Sequence, residues 1–343
     1  VAISREAGDL GCLGWALLSL GNALLPAGRF SEARAHLDEA TAVAENTGQR
    51  PLIEMVQYVL FQLDYATDNS AAVVERVDWS IASSRTSGNL RLRCGALLYR
   101  GEMKERAGDY EAAMGLFQEA LSCARQMGDI HFVAECLQSV GFCLFQQGEF
   151  ERARSYFEDS TALGDPGQPE VWFAHGLMGL AELYVELGDY SSARALLDDV
   201  VVLTAGHDHP TSRRYTMRLA GDLARAQHDR LAALGFYVEA LSATLSRPDV
   251  IGCLEALAWS LDDMARPHEV VVLLASAHKA RSDIGWVLYP YLRERHAQLL
   301  QELKDELGEP AFDQAWADGG SLPIEEAKTR ALDVAATLLG PNS

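Results

Sequence analysis

The chain has 343 residues, of which 48% are hydrophobic, and its formal net charge at pH 7 is −20. Because phosphate backbones and anionic membrane surfaces repel such a charge, we expect this chain neither to contact nucleic acid directly nor to attach to a membrane. No stretch is apolar for long enough to cross a bilayer, and the start lacks the basic head of a signal peptide, so we expect a cytoplasmic protein. The chain also begins without Met, inside a helical pattern, and we expect it to be part of a longer polypeptide.

A phrase that begins with a turn and continues as an amphipathic helix returns along the chain. Its glycines stand at multiples of about 40 residues from one another: Gly28, Gly108, Gly148 and Gly188. Asp68-Asn69-Ser70 occupies the place where the missing member is due. A fixed period of this length is typical of stacked supersecondary units, each of which buries its apolar face against the next.

Each repeat reads as two helices joined by a tight turn. Around Gly148, apolar residues recur three and four positions apart, both from Leu137 to Leu144 and from Phe150 to Phe157. Gly148 would end the first helix, because the turn requires a positive φ that glycine adopts freely. A small residue seven positions before the turn would let the second helix approach closely, and Phe61 alone breaks this row: Gly21, Gly101, Gly141, Ala181 and Gly221. A second row of glycines is expected to end the second helices: Gly48, Gly88, Gly128 and Gly164.

The later repeats keep this register with other residues at their turns. Residues 226–241 fit with His228-Asp229-Arg230 at the turn, and residues 253–281 fit with Ala258 and Ala265. The runs "DVVVLTA" and "EVVVLLA" have the composition of strands, but their place in the repeat predicts second helices. The sequence therefore predicts about seven hairpins within residues 1–281.

Beyond residue 281 the repeat fades into further predicted helices. An amphipathic helix ends at Gly308, a short helix ends at Gly319-Gly320, and the last helix has Ser321 near its N-cap and Pro323 in its first turn. A terminal segment of different pattern can cover the apolar face of the last repeat. We therefore predict an all-α solenoid, with a repeat array at residues 1–281 and a C-terminal helical cap at residues 282–343.

The recurring phrase resembles the tetratricopeptide repeat, in which small residues, a Gly-Asp-Tyr-like turn and later alanines and aromatics hold set places. Two repeats carry these places in full, as Gly21, Gly28, Phe30, Ala33, Leu37 and Ala40, and as Gly101, Gly108, Tyr110, Ala113, Phe117 and Ala120. The family unit has about 34 residues, so a period near 40 implies longer helices or loops. In the family, the first helices line the concave face of the array, and ligands bind there.

Carrying the family's concave positions over to this chain implies a surface that binds a ligand or a partner. The candidates are Trp15, Asn22, Tyr58, Gln62, Tyr65, Glu102, Gln138, Phe142, Phe145, His175, Met178, Tyr215, Arg218 and Arg225, and the same positions include the acids Glu135, Glu182 and Asp222. This mixture suits a peptide, a partner protein or a small amphiphilic effector, while the alternative for each residue is packing against a neighbouring repeat. The basic residues are too dispersed to form the carboxylate-binding clamp of chaperone-binding members.

The sequence offers little that points to catalysis, a cofactor or a metal. It contains no Gly-x-x-x-x-Gly-Lys-Ser/Thr phosphate loop, no Gly-x-Ser-x-Gly and no His-Glu-x-x-His, and its six cysteines are scattered singly. His207, Asp208 and His209 could bind a metal or serve an enzyme, but a polar loop between repeats explains them as well. We therefore expect a non-catalytic protein without cofactor or bound metal.

The last part of the chain resembles a particular class of tetratricopeptide protein. Residues 253–281, followed by "LGEPAFDQAWADGGSLPIEEAKTRALD", are similar to the C-terminal part of large bacterial transcriptional regulators of the LuxR or STAND type. These regulators carry an NTPase core and often a DNA-binding helix-turn-helix on the same polypeptide. The resemblance implies a sensor whose effector biases an NTPase switch outside this stretch. The alternative is a stand-alone scaffold that binds peptides of partner proteins.

Overall fold

The computed structural model describes residues 1–25, 27–67, 70–164, 171–204, 210–244, 246–262 and 264–340, and in these ranges it contains α-helices and no strands. The helices are α1 (Ala2–Ala7), α2 (Leu10–Leu24), α3 (Phe30–Thr47), α4 (Arg50–Ala66), α5 (Ser70–Ser87), α6 (Leu90–Arg106), α7 (Tyr110–Met127), α8 (Ile130–Gln146), α9 (Phe150–Thr161), α10 (Val171–Leu187), α11 (Tyr190–Thr204), α12 (Pro210–Ala226), α13 (Arg230–Ser242), α14 (Arg247–Asp262), α15 (Pro267–Asp283), α16 (Pro290–Leu307), α17 (Glu309–Ser321) and α18 (Ile324–Leu339).

The helices from α2 to α15 follow one another as seven hairpins, α2/α3 through α14/α15. The predicted all-α solenoid of about seven tetratricopeptide-like hairpins is therefore confirmed. The two valine-rich runs lie in α11 and α15, so their assignment as second helices is confirmed for the described residues. Their place in the repeat prevails over the β-propensity of valine, as tertiary packing commonly does.

The turns within the hairpins carry the backbone conformation that the sequence pattern requires. Gly108 and Gly148 both have φ of 81°, in the left-handed region where a Cβ would be strained. In the sixth and seventh hairpins, His228 (φ 63°) and Ala265 (φ 55°) hold the same conformation without being glycines. The repeat geometry thus continues where the glycine is lost, at a conformational cost of about 1 kcal/mol per residue.

The row of small residues brings the two helices of a hairpin into close contact. A Cβ added at Gly141 would lie 2.7 Å from Cε1 of Phe157, and one added at Gly221 would lie 2.5 Å from Cε1 of Tyr237. Both rings come from the second helix and are fully buried. The absence of a Cβ therefore makes room for a large aromatic core side chain of the hairpin.

Three details of the predicted helix ends are wrong. Helix α9 ends at Thr161, and Gly164 lies beyond it, where its missing Cβ leaves room for the ring of Phe173. Helix α17 continues through Gly319, whose backbone packs against the carbonyl of Val272, so this glycine serves close packing and not termination. Ser321 is therefore the last residue of α17, where its hydroxyl donates to the carbonyl of Asp318, and the N-cap of α18 is Pro323.

The chain forms two compact units. The first comprises residues 1–105 and 109–136, and the second comprises residues 106–108 and 137–343. In the first unit, apolar residues of α2, α3 and α4 form one core, and Phe61, Val73, Val77 and Ala96 form a second cluster.

In the second unit, α10, α11 and α12 share one core, and a larger core joins α13, α14 and α15 to the last helices, with Ala315 on α17 and Ala331 on α18. The terminal helices thus pack on the last repeats, while the predicted boundary between residues 281 and 282 stays a prediction.

Candidate ligand-binding surface

The candidate residues all lie on α2, α4, α6, α8, α10 and α12, which are the first helices of the first six hairpins. Those from Trp15 to Glu102 belong to the first unit, and those from Gln138 to Arg225 belong to the second. We call each set the first-helix face of its unit.

At the start of the first unit, Trp15 and Asn22 are exposed on α2, and the exposed fraction of Trp15 is 41%. Gln62 on α4 is partly exposed. These side chains are accessible to a partner, and an exposed tryptophan is the kind of anchor that protein interfaces use.

Four aromatic residues on α4 and α6 form a tyrosine cluster: Tyr58, Phe61, Tyr65 and Tyr99. The rings meet edge-on, with centroid distances of 4.9 Å for Tyr58–Phe61, 4.7 Å for Phe61–Tyr99 and 5.2 Å for Tyr65–Tyr99. The hydroxyl of Tyr65 donates to Oε2 of Glu102 at 2.9 Å. Burial raises the pKa of Tyr58 and Tyr99, so both phenols keep their protons and remain hydrogen-bond donors.

A second carboxylate lies beside this cluster. Glu135, on the part of α8 that belongs to the first unit, has its pKa raised to about 7 by burial and then by the charges of Glu102 and Asp129. Tyr58 feels the charges of both Glu135 and Glu102. Two acids beside a group of phenols form a local negative potential in partly buried surroundings, which a cationic group of a ligand would relieve.

In the fourth hairpin, the candidates pack mainly within the hairpin itself. Nε2 of Gln138 donates to Oγ of Ser160 at 2.9 Å, and the ring of Phe142 meets that of Phe157 edge-on at 4.9 Å. Phe145 is only 3% exposed. Within the first-helix face of the second unit, these three side chains therefore serve mainly to pack the repeat.

The fifth and sixth hairpins are joined by a charged network. The guanidinium of Arg218 donates to Glu182 at 2.9 Å and to Asp222 at 2.8 Å, and it lies over the ring of Tyr215 at 4.9 Å. Tyr215 donates its hydroxyl to Glu182, and Tyr237 donates to Asp222 at 2.7 Å. Burial alone would lower the pKa of Arg218, but the two carboxylates outweigh burial and raise it, so the arginine stays charged. This network fixes α10 against α12.

The remaining candidates of the second unit differ in accessibility. His175 is partly exposed, whereas Met178 is fully buried, with Oγ1 of Thr216 at 3.7 Å from its sulfur. The guanidinium of Arg225 lies 5.8 Å from the ring centre of Trp259. A ligand on this face would thus meet His175 and the charged network before it could meet Met178.

Comparison with known proteins bears directly on these hairpins. Three family models, each described as tetratricopeptide repeat, match residues 14–39, 92–164 and 144–207. The chain contains tetratricopeptide repeats.

Two solved structures resemble the tetratricopeptide array in fold. The first is the Rap conjugation gene regulator of plasmid pLS20 in complex with the Phr* peptide, with a TM-score of 0.66 at 16% identity. The alignment covers 82% of this chain and 77% of that regulator. A Rap protein complexed with competence and sporulation factor has a TM-score of 0.55 at 13% identity and covers 95% of this chain and 98% of its own.

A curated relative matches part of the array in sequence. It comes from Mycobacterium tuberculosis (strain ATCC 25618 / H37Rv), is named "Putative HTH-type transcriptional regulator Rv0890c", and is 28% identical over 163 residues. The aligned part is 47% of this chain and 18% of that protein, so the chain spans less than a fifth of the relative it matches.

The array has site residues that the repeat pattern did not indicate. Phe61 and Tyr99 complete the tyrosine cluster from positions outside the family's contact set, although the three- and four-residue spacing of Tyr58, Phe61 and Tyr65 could have indicated one aromatic helix face. In the second unit, Tyr291 meets Phe145 at 5.1 Å. Tyr291 lies outside the repeats, and no local pattern predicts such a long-range contact.

Two other expectations concern metals and membranes. Within the described ranges, no group of three or more His, Cys, Asp or Glu residues is arranged to hold a metal ion, while His207, Asp208 and His209 lie outside the described residues. Among the helices that the structure describes, none combines the length and the apolar character needed to span a membrane.

Proposed function

We propose that this tetratricopeptide array is a non-catalytic sensor module of a bacterial transcriptional regulator and that it binds a peptide or partner protein on its first-helix face. The observation that carries the proposal is the tyrosine cluster with Glu102 and Glu135 beside it. It offers aromatic edges, phenol donors and negative charge within one face of α4, α6 and α8.

The chemistry of this cluster favours a ligand with a basic group. Burial, and then the charges of Glu102 and Asp129, raise the pKa of Glu135 to about 7, and a cation bound beside Glu102 and Glu135 would stabilise the ionised form of both acids. An arginine would suit the cluster best, because its planar guanidinium binds carboxylates and stacks on aromatic rings. The overall charge of −20 would attract such a ligand from a distance.

The structural neighbours support a peptide as the ligand. One Rap structure is a complex with the Phr* peptide and the other is a complex with competence and sporulation factor, and this chain shares their helical repeat architecture. The regulatory context rests on the relative from Mycobacterium tuberculosis. Under this proposal, the NTPase and DNA-binding regions lie elsewhere on the same polypeptide, and the protein acts in the cytoplasm.

The binding proposal is tested with a displayed library of random peptides selected against the purified chain. We expect selected peptides to carry arginine or lysine, and the variant with both Glu102→Gln and Glu135→Gln to bind them at least about tenfold more weakly, as expected for charge-assisted contacts. Glu111→Gln, an exposed acid on α7, is the matched control and should leave the affinity unchanged. Equal binding by all three proteins would remove the cluster from the ligand-binding site.

A scaffold without a switch is the second candidate. A further match is to a protein whose name is not that of a transcriptional regulator: the Tonsoku-like protein of Danio rerio is 27% identical over 220 residues, which is 12% of that protein. The array thus resembles segments of proteins with different names. Reading the gene on both sides of Val1 and Ser343 separates the candidates. An adjoining Gly-x-x-x-x-Gly-Lys-Ser/Thr loop and a helix-turn-helix would support the sensor, and their absence from the full gene would support the scaffold.

A further inference from the structure

Between α15 and α16 the chain leaves the helical repeat and becomes extended. Gly285 turns the chain with φ of 67°, and residues 286–289 are outside any helix before Pro290 begins α16. Tyr289 has φ of −58° and ψ of 137°, which is close to the polyproline II conformation. We call residues 286–291, with the sequence Trp-Val-Leu-Tyr-Pro-Tyr, the crossing segment.

The crossing segment makes a main-chain hydrogen bond to a repeat turn. The N–H of Val287 donates to the carbonyl of Arg106 at 2.8 Å, and the guanidinium of Arg106 lies 5.7 Å from the ring centre of Trp286. A Cβ built on Gly108 would lie 2.9 Å from Cγ2 of Val287. Val287 is therefore in contact with the turn between α6 and α7, over residues that belong to the second unit.

The far end of the crossing segment lies against the fourth hairpin. The ring of Tyr291 meets Phe145 at 5.1 Å and Phe150 at 6.0 Å, and Cβ of Tyr291 lies 3.7 Å from a Cβ built on Gly148. Burial raises the pKa of Tyr291, so its phenol stays neutral in this contact. Phe145, a candidate ligand contact, is thus covered by a residue of the same chain.

These contacts have the form of a bound peptide. The non-helical residues 286–289 donate one main-chain N–H to the carbonyl of Arg106 and place Val287 on a turn glycine. Tyr291, in the first turn of α16, lies against the rings of two phenylalanines. Main-chain hydrogen bonds with side chains held in alternate contacts are the usual way in which a protein recognises an extended peptide. The proline within the segment lowers the entropy that such binding costs.

The fit of the crossing segment is not complete. Nε1 of Trp286 is buried and has no hydrogen-bond partner among the described residues. A buried donor without an acceptor weakens the bound state, because its hydration is lost without replacement. A peptide that offered an acceptor, or a different aromatic residue, at this place would therefore bind the same surface better than the crossing segment does.

We propose that the turn 106–108, together with Phe145, Gly148 and Phe150, is a binding surface for an extended peptide with aromatic residues and a proline. The crossing segment occupies this surface as an internal ligand, and a peptide of that kind binds by displacing it. The inference rests on the proposed function for Phe145, which belongs to the first-helix face of the second unit, and goes beyond it in the turn residues and in the internal ligand.

Displacement has a quantitative consequence. A tethered ligand acts at an effective concentration in the range of about 1 mM, so a free peptide competes poorly until the tethered ligand is weakened. The apparent affinity of the free peptide is reduced by the fraction of molecules whose surface is open. Weakening the crossing segment should therefore tighten binding of the free peptide, and locking the segment should abolish it.

Two cysteine pairs can lock the segment. The Cβ positions of Gly108 and Val287 are 3.9 Å apart, and those of Gly148 and Tyr291 are 3.7 Å apart, both within the range that a disulfide requires. The first pair, Gly108→Cys with Val287→Cys, is made with Tyr291→Ala, so that the reduced protein has a weakened segment. The second pair, Gly148→Cys with Tyr291→Cys, is made with Trp286→Ala for the same reason. All variants carry Cys12→Ser, because Cys12 is the exposed native thiol among the six cysteines.

The probe is a fluorescent synthetic peptide with the sequence of residues 284–292, and binding is read by fluorescence anisotropy. We expect the variant with Trp286→Ala and Tyr291→Ala to bind it at least about tenfold more tightly than the wild type. For each cysteine pair, the oxidised protein should bind it at least about tenfold more weakly than the reduced protein. The single variants Gly108→Cys and Gly148→Cys control for the strain at φ of 81° and should not respond to reductant.

Equal binding by the oxidised and reduced forms of both pairs would overturn the proposal, and so would failure of both pairs to form a disulfide. The redox comparison uses one folded protein in two states, so it is decisive even where the double alanine variant is unstable. If library peptides lost affinity in the Glu102 variant but bound the oxidised and reduced proteins equally, the proposed function would stand and the internal ligand would fail. If the probe bound more weakly to the oxidised than to the reduced proteins while the chain selected no library peptide, the internal ligand would stand and the proposed function would fail.

Discussion

Replacing Gly141 by alanine should destabilise the protein, although alanine forms helices better than glycine. The added Cβ would lie 2.7 Å from Cε1 and 2.9 Å from Cδ1 of Phe157. The same edge of the ring would lie 2.6 Å from a Cβ at Gly179, so the ring is held between α8 and α10, and it is fully buried. Overpacking of this kind costs about 1–3 kcal/mol, whereas the helix propensity of alanine returns about 1 kcal/mol. We therefore expect a net loss of up to about 2 kcal/mol.

The chain offers a matched control for this substitution. Gly115 lies within α7, and a Cβ there would meet nothing within 4 Å, so Gly115→Ala should stabilise the protein by about 0.5–1 kcal/mol. Urea unfolding followed by circular dichroism measures both shifts as changes of the transition midpoint. In the double variant Gly141→Ala with Phe157→Leu, the smaller side chain should recover part of the loss. If Gly141→Ala stabilised the protein as much as Gly115→Ala does, the close-packing argument would be refuted.

Three further predictions concern strained turns, a perturbed acid and the charged network. His228→Gly and Ala265→Gly should each stabilise the protein by about 1 kcal/mol, because both residues hold a positive φ; unchanged urea midpoints for both would speak against this strain. Burial raises the pKa of Glu135 from 4.5 to about 7, so the folded chain binds this proton more tightly than the unfolded chain does. The free energy of unfolding should therefore fall by up to about 3 kcal/mol as the pH rises from about 4.5 to above about 7. Glu135→Gln should remove this fall between about pH 5 and about pH 8, and a variant with the wild-type pH dependence would refute the assignment. Arg218→Met should cost about 2 kcal/mol, because it leaves two half-buried carboxylates without their cation; a thermal unfolding midpoint equal to that of the wild type would mean that the network adds no stability.

The hairpins are predictable from the sequence because each depends on residues that are close together in the chain. The turn at Gly148, the small residue at Gly141 and the ring at Phe157 lie within one repeat, and the period repeats the same arrangement. The register even identifies His228 and Ala265 as turn residues where the glycine is missing. Predictions fail where a residue's role depends on a distant part of the chain. Gly319 is such a case, because it packs against α15 of the last hairpin.

The candidate surface is predictable only in outline, because a family position specifies a helix face and not its neighbours. Trp15 and Met178 both occupy such positions, yet one is 41% exposed and the other is fully buried. The difference depends on what packs against each helix. For Phe145 the neighbour is Tyr291, which comes from a part of the chain without the repeat, so no period could indicate it.

The distribution of charge links the two proposals. Within the chain, arginines often pair with carboxylates of a neighbouring helix, as Arg281 does with the partly buried Glu255. Such pairs are locally neutral. The net charge of −20 therefore comes from acids elsewhere in the chain, and their field attracts a cationic partner. The internal ligand continues into basic residues, and Arg295 approaches Glu186 at 4.0 Å. A partner with aromatic residues followed by arginines would therefore suit both the tyrosine cluster and the surface of the crossing segment. Salt separates the two contributions, because screening weakens exposed ion pairs and leaves aromatic and main-chain contacts almost unchanged. A peptide that lost affinity steeply with salt would be held by the carboxylates, and one that kept its affinity would be held as the crossing segment is.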